Sequence, residues 1–170
     1  LLGSSVFSAQ LAAALGMPFA FASHFAPDLL HDALELYRSK FRPSETLKKP
    51  YAMAAAGVFA AETDRKAQRL FTSLQQSFVN LRRGTPAPLP PPVDSMEGHW
   101  TEVEQIGVDH AFSEAIVGSP ATVKRGIEEF VARTEIDEMI VTAAIYDHGA
   151  RLRSFEIVAE AMIGAAAAAR

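Results

Sequence analysis

The chain has 170 residues, 49% hydrophobic and 21% charged, which is the balance of a soluble globular protein able to bury one ordinary core. Its 16 basic and 20 acidic residues leave a formal net charge of -4, with no basic run beyond Lys48-Lys49 and Arg82-Arg83, which argues against nucleic acid as a partner. Every apolar stretch is interrupted before the roughly 18 residues that a bilayer span needs, and the absence of cysteine removes any disulfide framework or thiolate nucleophile, so a cytoplasmic chain with no membrane partner is expected.

The chain opens on Leu1-Leu2-Gly3 with no methionine, basic leader or apolar signal run, and is expected to be cut inside a strand. A helix over 8–15 follows, ended by Gly16, a residue suited to the left-handed position after a helix. Pro18 introduces a second strand, 19–22, and a helix over 27–41 carries Leu30, Ala33, Leu34, Tyr37 and Phe41 at helical spacing, with Arg42-Pro43 stopping it. The third strand, 51–59, is rich in alanine, and its place between Pro50 and the charged start Glu62-Thr63-Asp64 favours strand over helix. A helix over 64–83 then presents Ala67, Leu70, Phe71, Leu74, Phe78 and Leu81 as a core-facing stripe.

From 85 to 115 the pattern breaks down, because Pro86, Pro88, Pro90, Pro91 and Pro92 resist both helix and central strand, and an extended or mobile insertion is expected. Regularity returns at Gly118-Ser119-Pro120, where Ser119 suits a helix cap and Pro120 the first turn of a helix to 133, with Val123, Ile127, Phe130 and Val131 inward. A strand over 138–145 and a helix over 150–163 follow, and residues 164–170 form an alanine-rich tail. Four strands alternating with helices predict βα units around a parallel sheet.

In such folds ligands sit at the C-terminal ends of the strands, so the residues just after each strand are the candidate site. Gly3-Ser4-Ser5 through Ser8 joins a strand end to a helix start, where hydroxyls and free amides suit a phosphate; simple capping by Ser5 or Ser8 is the alternative. Ser23 and His24 follow the second strand, and Tyr146-Asp147-His148 follows the last one ahead of Arg151, making His24 and His148 the candidate catalytic residues. Asp147 also suits a helix cap paired with Arg151 across one turn. His99, Trp100 and His110 show no metal-ligand spacing, no metal is proposed, and there is neither a nucleophile elbow nor a lysine-bearing phosphate loop.

Taken in order, Gly3-Ser4-Ser5, Phe7-Ser8-Ala9, Leu15-Gly16-Met17-Pro18-Phe19-Ala20-Phe21-Ala22-Ser23-His24-Phe25, Gln75-Gln76, Val117-Gly118-Ser119-Pro120 and Ile145-Tyr146-Asp147-His148 resemble the luciferase-like flavin-dependent monooxygenases over nearly the whole chain. The resemblance implies an α/β chain forming the C-terminal half, strands five to eight, of a (β/α)8 TIM barrel, since 170 residues are too few for a complete barrel of about 250. It further implies a flavin phosphate site at Ser4, Ser5 and Ser8, reduced FMN in preference to a deazaflavin, O2 and a small organic substrate, and a flavin reductase as a partner. The 85–115 stretch would correspond to the family's mobile insertion, a lid over the flavin. A homo-oligomer or a missing N-terminal half is expected to complete the barrel. A non-catalytic flavin-binding half-barrel and a structural assembly module stand as the alternatives.

Overall fold

The computed structural model describes the backbone of residues 1–167 and the side chains of residues 1–164. Its elements run β1 (Leu2–Gly3), α1 (Val6–Leu15), β2 (Phe19–Phe21), α2 (Leu30–Lys40), β3 (Ala52–Ala60), α3 (Asp64–Arg82), α4 (Glu102–Ala111), β4 (Ile116–Gly118), α5 (Pro120–Thr134), β5 (Glu138–Thr142) and α6 (His148–Ala167). The α/β alternation and the parallel pairing of β1 with β2 and of β2 with β3 match the expectation, while β4, which pairs β3 in parallel, makes five strands among the described residues instead of the four expected. No helix among the described residues is long and apolar enough to cross a membrane. The expected tail is helical as far as Ala167, and residues 168–170 lie outside the described residues.

Two elements depart from the sequence reading: α4 and β4 lie in or beside the stretch expected to be irregular. The prolines responsible for that expectation end at Pro92, and α4 begins well beyond them. Thr101 and Glu104 form a reciprocal capping box, satisfying two backbone amides that would otherwise be orphaned at the helix start. The signal was present as Thr-x-x-Glu and was masked by the proline run before it.

Contacts divide the chain into two units, one of Leu1–Ala56 with Glu129–Thr142 and one of Gly57–Glu128 with Ala143 onward. In the first, β1 pairs β2 with Gly3 opposite Phe21, and β2 pairs β3 with Phe21 opposite Ala54. Phe19 packs on Phe21 and Tyr37 at centroid distances of 6.2 and 5.3 Å. Of the predicted α2 stripe, Leu30, Ala33, Leu34 and Tyr37 are buried, while Phe41 follows the end of the helix and is half-buried. The Tyr37 hydroxyl is satisfied inside this core, donating to the Met17 carbonyl at 2.8 Å and accepting the Tyr51 amide at 3.0 Å. Gly16 ends α1 at φ 60°, and a side chain there would also meet the Arg42 carbonyl at 2.5 Å. Arg38 closes the last turn of α5 by donating to the carbonyls of Thr134 and Glu135 at 2.8 and 2.6 Å.

The second unit is built on Phe59, Ala61, Ala67, Leu70, Phe71 and Ile145. Aromatic contacts run from Phe59 to Phe71, Phe71 to Phe112 and Phe112 to Phe78 at 4.8, 5.6 and 5.3 Å, each such pair adding about 0.5–1.5 kcal/mol beyond its buried area. The first half of the predicted α3 stripe is buried, but Leu81 is 60% exposed and Val79 is buried instead. The same helix holds the proline segment. Thr72 Oγ1 accepts the Val93 amide at 2.9 Å, Gln76 donates to the Pro91 carbonyl at 3.1 Å, and Arg69 pairs with Asp94 at 2.6 Å. Residues 69, 72 and 76 lie on one helix face, so an extended strand of prolines can lie along it and still have its backbone satisfied.

Candidate functional site

The parallel register of β1 and β2 brings the segments that follow them to the same end of the first unit, where the Ala22 amide donates to the Gly3 carbonyl at 3.0 Å. Ser5 caps α1 from an extended backbone, its side chain accepting the Ser8 amide at 3.4 Å. Ser8 is buried and donates its own hydroxyl proton to the Ser5 carbonyl at 2.7 Å. Ser5 therefore does the capping work that the sequence offered as the alternative, while the Ser8 hydroxyl bonds back to the Ser5 carbonyl. Capping leaves donors to spare. The Ser5 hydroxyl, besides accepting an amide, stands 3.4 Å from Ser8 Oγ, Ser4 stands beside it, and the first-turn amides of Val6 and Phe7 have no carbonyl within the helix to reach. Gly3 is the residue that lets β1 run this close to the helix, because a side chain there would collide with the Cβ and Oγ of Ser8.

Negative charge is placed at the other helix starts. Asp32, Asp64 and the pair Glu102 and Glu104 occupy the first turns of α2, α3 and α4. At α6 the Asp147 carboxylate accepts the Ala150 amide at 2.7 Å. At α5 the Asp64 carboxylate accepts the Ser119 amide at 2.7 Å. The Ser119 amide and the Thr122 and Ser119 hydroxyls hold Asp64 below the usual carboxylate range. A side chain on Gly118 would meet Asp64 Oδ1 at 2.7 Å and Thr122 Cγ2 at 2.5 Å, so the glycine makes room for this internal anion. Among the described helices α1 alone carries or receives no carboxylate at its start. By the physics of a helix dipole it is the start best placed to take an external anion.

His24 stands in the turn after β2, half-buried, with burial lowering its pKa and its ring edge-on to Phe25 at 4.6 Å. His148 is the first residue of α6, in the second unit; it is exposed, and its Nδ1 lies 2.9 Å from the Arg151 guanidinium. The expected Asp147 cap is present, while the Arg151 contact with His148 takes the place of the expected pairing with Asp147. Sequence reasoning missed the Asp64 plug, which joins residues 55 positions apart. It also missed Ser154, whose buried hydroxyl accepts the Ala60 amide at 2.9 Å from α6. No local pattern encodes either contact.

The chain is similar to proteins of known type over nearly all its length. A curated luciferase-like monooxygenase of Escherichia coli (strain K12) is 53% identical over 167 residues, covering 96% of this chain and 50% of that protein. The crystal structure of apo-MsnO8 matches with a TM-score of 0.86 at 31% identity, over 96% of this chain and 50% of that one. The fold is shared with the oxygenating constituent of 3,6-diketocamphane monooxygenase from Pseudomonas putida, a type II Baeyer–Villiger monooxygenase solved in complex with FMN. That structure matches at a TM-score of 0.58 and 22% identity, over 92% of this chain and 45% of that one. No family model matches the chain.

Proposed function

Since the chain belongs to the luciferase-like monooxygenase family and spans about half the length of the curated relatives it matches, we propose that it is part of a flavin-dependent monooxygenase using reduced FMN and O2 on a small organic substrate. The observation that carries this reading is the start of α1, which combines hydroxyl donors, free first-turn amides and a glycine-backed approach with no carboxylate of its own. Ser4, Ser5 and the amides of Val6 and Phe7 would hold the FMN phosphate, with Ser8 fixing Ser5 in place. The flavin, when bound, supplies the redox chemistry; the chain supplies orientation, charge complementarity and exclusion of water.

The test is flavin titration of the complete barrel. Changing Ser5→Ala and Ser8→Ala together should weaken FMN binding by roughly 1 kcal/mol for each hydrogen bond lost, about fivefold, or more if the charged phosphate is the partner. Riboflavin, which lacks the phosphate, should be much less affected. An unchanged FMN affinity would remove the phosphate assignment. Parallel titration with a deazaflavin cofactor decides between the two cofactor classes, and reductant consumption that depends on added substrate separates an enzyme from a non-catalytic flavin carrier.

Assembly belongs to the same proposal. The outward face of α1 is apolar, with Phe7 71% exposed and Val6, Leu11 and Leu15 also exposed, and β1 is paired on one side only among the described residues. Large apolar side chains turned outward call for a covering partner, and an open strand edge recruits one. The 170-residue chain by itself is expected to self-associate or to require the other half of the barrel. Sedimentation at micromolar concentration checks this, and a monodisperse, cooperatively melting monomer contradicts it.

A further inference from the structure

Ser23 and His24 follow β2 in a turn that the Phe25 amide closes onto the Ala22 carbonyl at 3.5 Å. The role of Ser23 is complete, because its buried hydroxyl donates to the Ala55 carbonyl at 2.6 Å and ties the turn to β3. His24 is incomplete. Its Nδ1 is sealed from solvent and has no hydrogen-bond partner, although the residue as a whole is only half-buried. What the ring shows to the outside therefore lies on its remaining atoms, Nε2 among them.

A histidine serving only as a structural hydrogen-bonder would use the nitrogen that the protein encloses. Here the enclosed nitrogen is the idle one. Sealed nitrogens tolerate an unused lone pair better than a stranded N–H, which places the imidazole proton on Nε2. Burial favours the neutral ring as well. The β1–β2 register sets this turn beside the Gly3-Ser4-Ser5 segment, at the same end of adjacent parallel strands. A neutral N–H donor adds little to the binding of a dianion that hydroxyls and helix amides already serve. It is well matched to an uncharged carbonyl oxygen, and the ring system of a flavin carries two of these at a distance from its phosphate.

We propose that His24 is a ligand-binding residue whose Nε2–H donates to a carbonyl oxygen of the bound flavin ring, an inference that rests on the flavin reading above. Equilibrium titration of the complete barrel with FMN and with riboflavin tests it, because riboflavin reports contacts to the ring without those to the phosphate. His24→Phe keeps a planar ring and removes the donor; it should weaken both ligands by a similar factor, about fivefold to tenfold, the scale of one lost hydrogen bond. His24→Gln returns an N–H near the Nε2 position and should restore both affinities to within about twofold of the unmodified chain, which also shows that any loss in the Phe variant is not a loss of folding. The Ser5→Ala and Ser8→Ala double variant should instead weaken FMN and spare riboflavin. Unchanged riboflavin affinity in His24→Phe, or an equal loss in His24→Gln, overturns the role of His24 while leaving the flavin reading intact. If the complete barrel binds neither flavin, the flavin reading itself fails and this inference fails with it.

Discussion

Two helices in this chain start on a glycine-serine pair, α1 after Gly3-Ser4-Ser5 and α5 after Gly118-Ser119, and they are furnished in opposite ways. In both, the glycine is small because a serine- or threonine-bearing helix start presses against it. At α5 the space opened by Gly118 holds the Asp64 carboxylate, which takes the Ser119 amide and satisfies the helix start from within the protein. At α1 the neighbour of Gly3 is the Ser8 side chain, and no carboxylate enters. A Gly-Ser helix start is thus an anion site only when the fold does not bring its own anion to it, and the difference cannot be read from the pair itself.

The largest effects should come from filling the glycines. Gly118→Ala pushes a methyl group into Asp64 and Thr122, an overpacking that should cost about 1–3 kcal/mol of stability in chemical denaturation while sparing flavin affinity. Gly3→Ala collides with Ser8, and should instead lower FMN affinity in the complete barrel, since Ser8 sets the position of Ser5. If Gly118→Ala were to abolish FMN binding as well, the two helix starts would not be divided into one structural and one ligand-bearing end.

A smaller effect is expected from acid. Asp64 and Glu104 both have folded-state pKa values held below the ordinary carboxylate range, Asp64 first by the Ser119 amide and Glu104 first by Arg83, down to about 2. A carboxylate lowered on folding contributes stability above its unfolded value, and that contribution is lost as pH falls toward the folded one. Unfolding midpoints should therefore decline as pH falls from about 4.5 to about 2, and Asp64→Asn should flatten the part of that decline below about 3.8. A variant with the same acid slope as the unmodified chain would show that the plug at α5 contributes nothing measurable. FMN affinity should be untouched by Asp64→Asn, in contrast to the serine variants at α1.

The smallest expected effect concerns the proline stretch. We expect 85–115 to be cut first by limited proteolysis, because its prolines complete neither helix nor ladder. The tie of 91–94 to α3 and the capped α4 restrict where within it the cuts fall. Thr72→Ala removes the pair of contacts to Val93 and should speed cleavage there. Primary cleavage inside α3 would show that order had been placed in the wrong part of the chain.

Local chemistry made most of the elements legible. The α2 stripe, the strand between Pro50 and Glu62, the stop at Gly16 and the cap at Asp147 each depend on residues a few positions apart, and each stands where the sequence placed it. The α4 capping box was equally local, and the proline run in front of it hid it. The order of residues by itself thus determined an α/β chain, its parallel strands and the strand-end segments where a ligand would sit, because hydrophobic period and turn chemistry act over short separations. What only the tertiary structure decided is which of those segments is still unfilled: Asp64 closes the start of α5, Ser23 is tied to Ala55, and the sealed Nδ1 of His24 has no partner. Satisfaction of a polar group depends on whatever long-range packing brings within about 3 Å of it, and no sequence window contains that information.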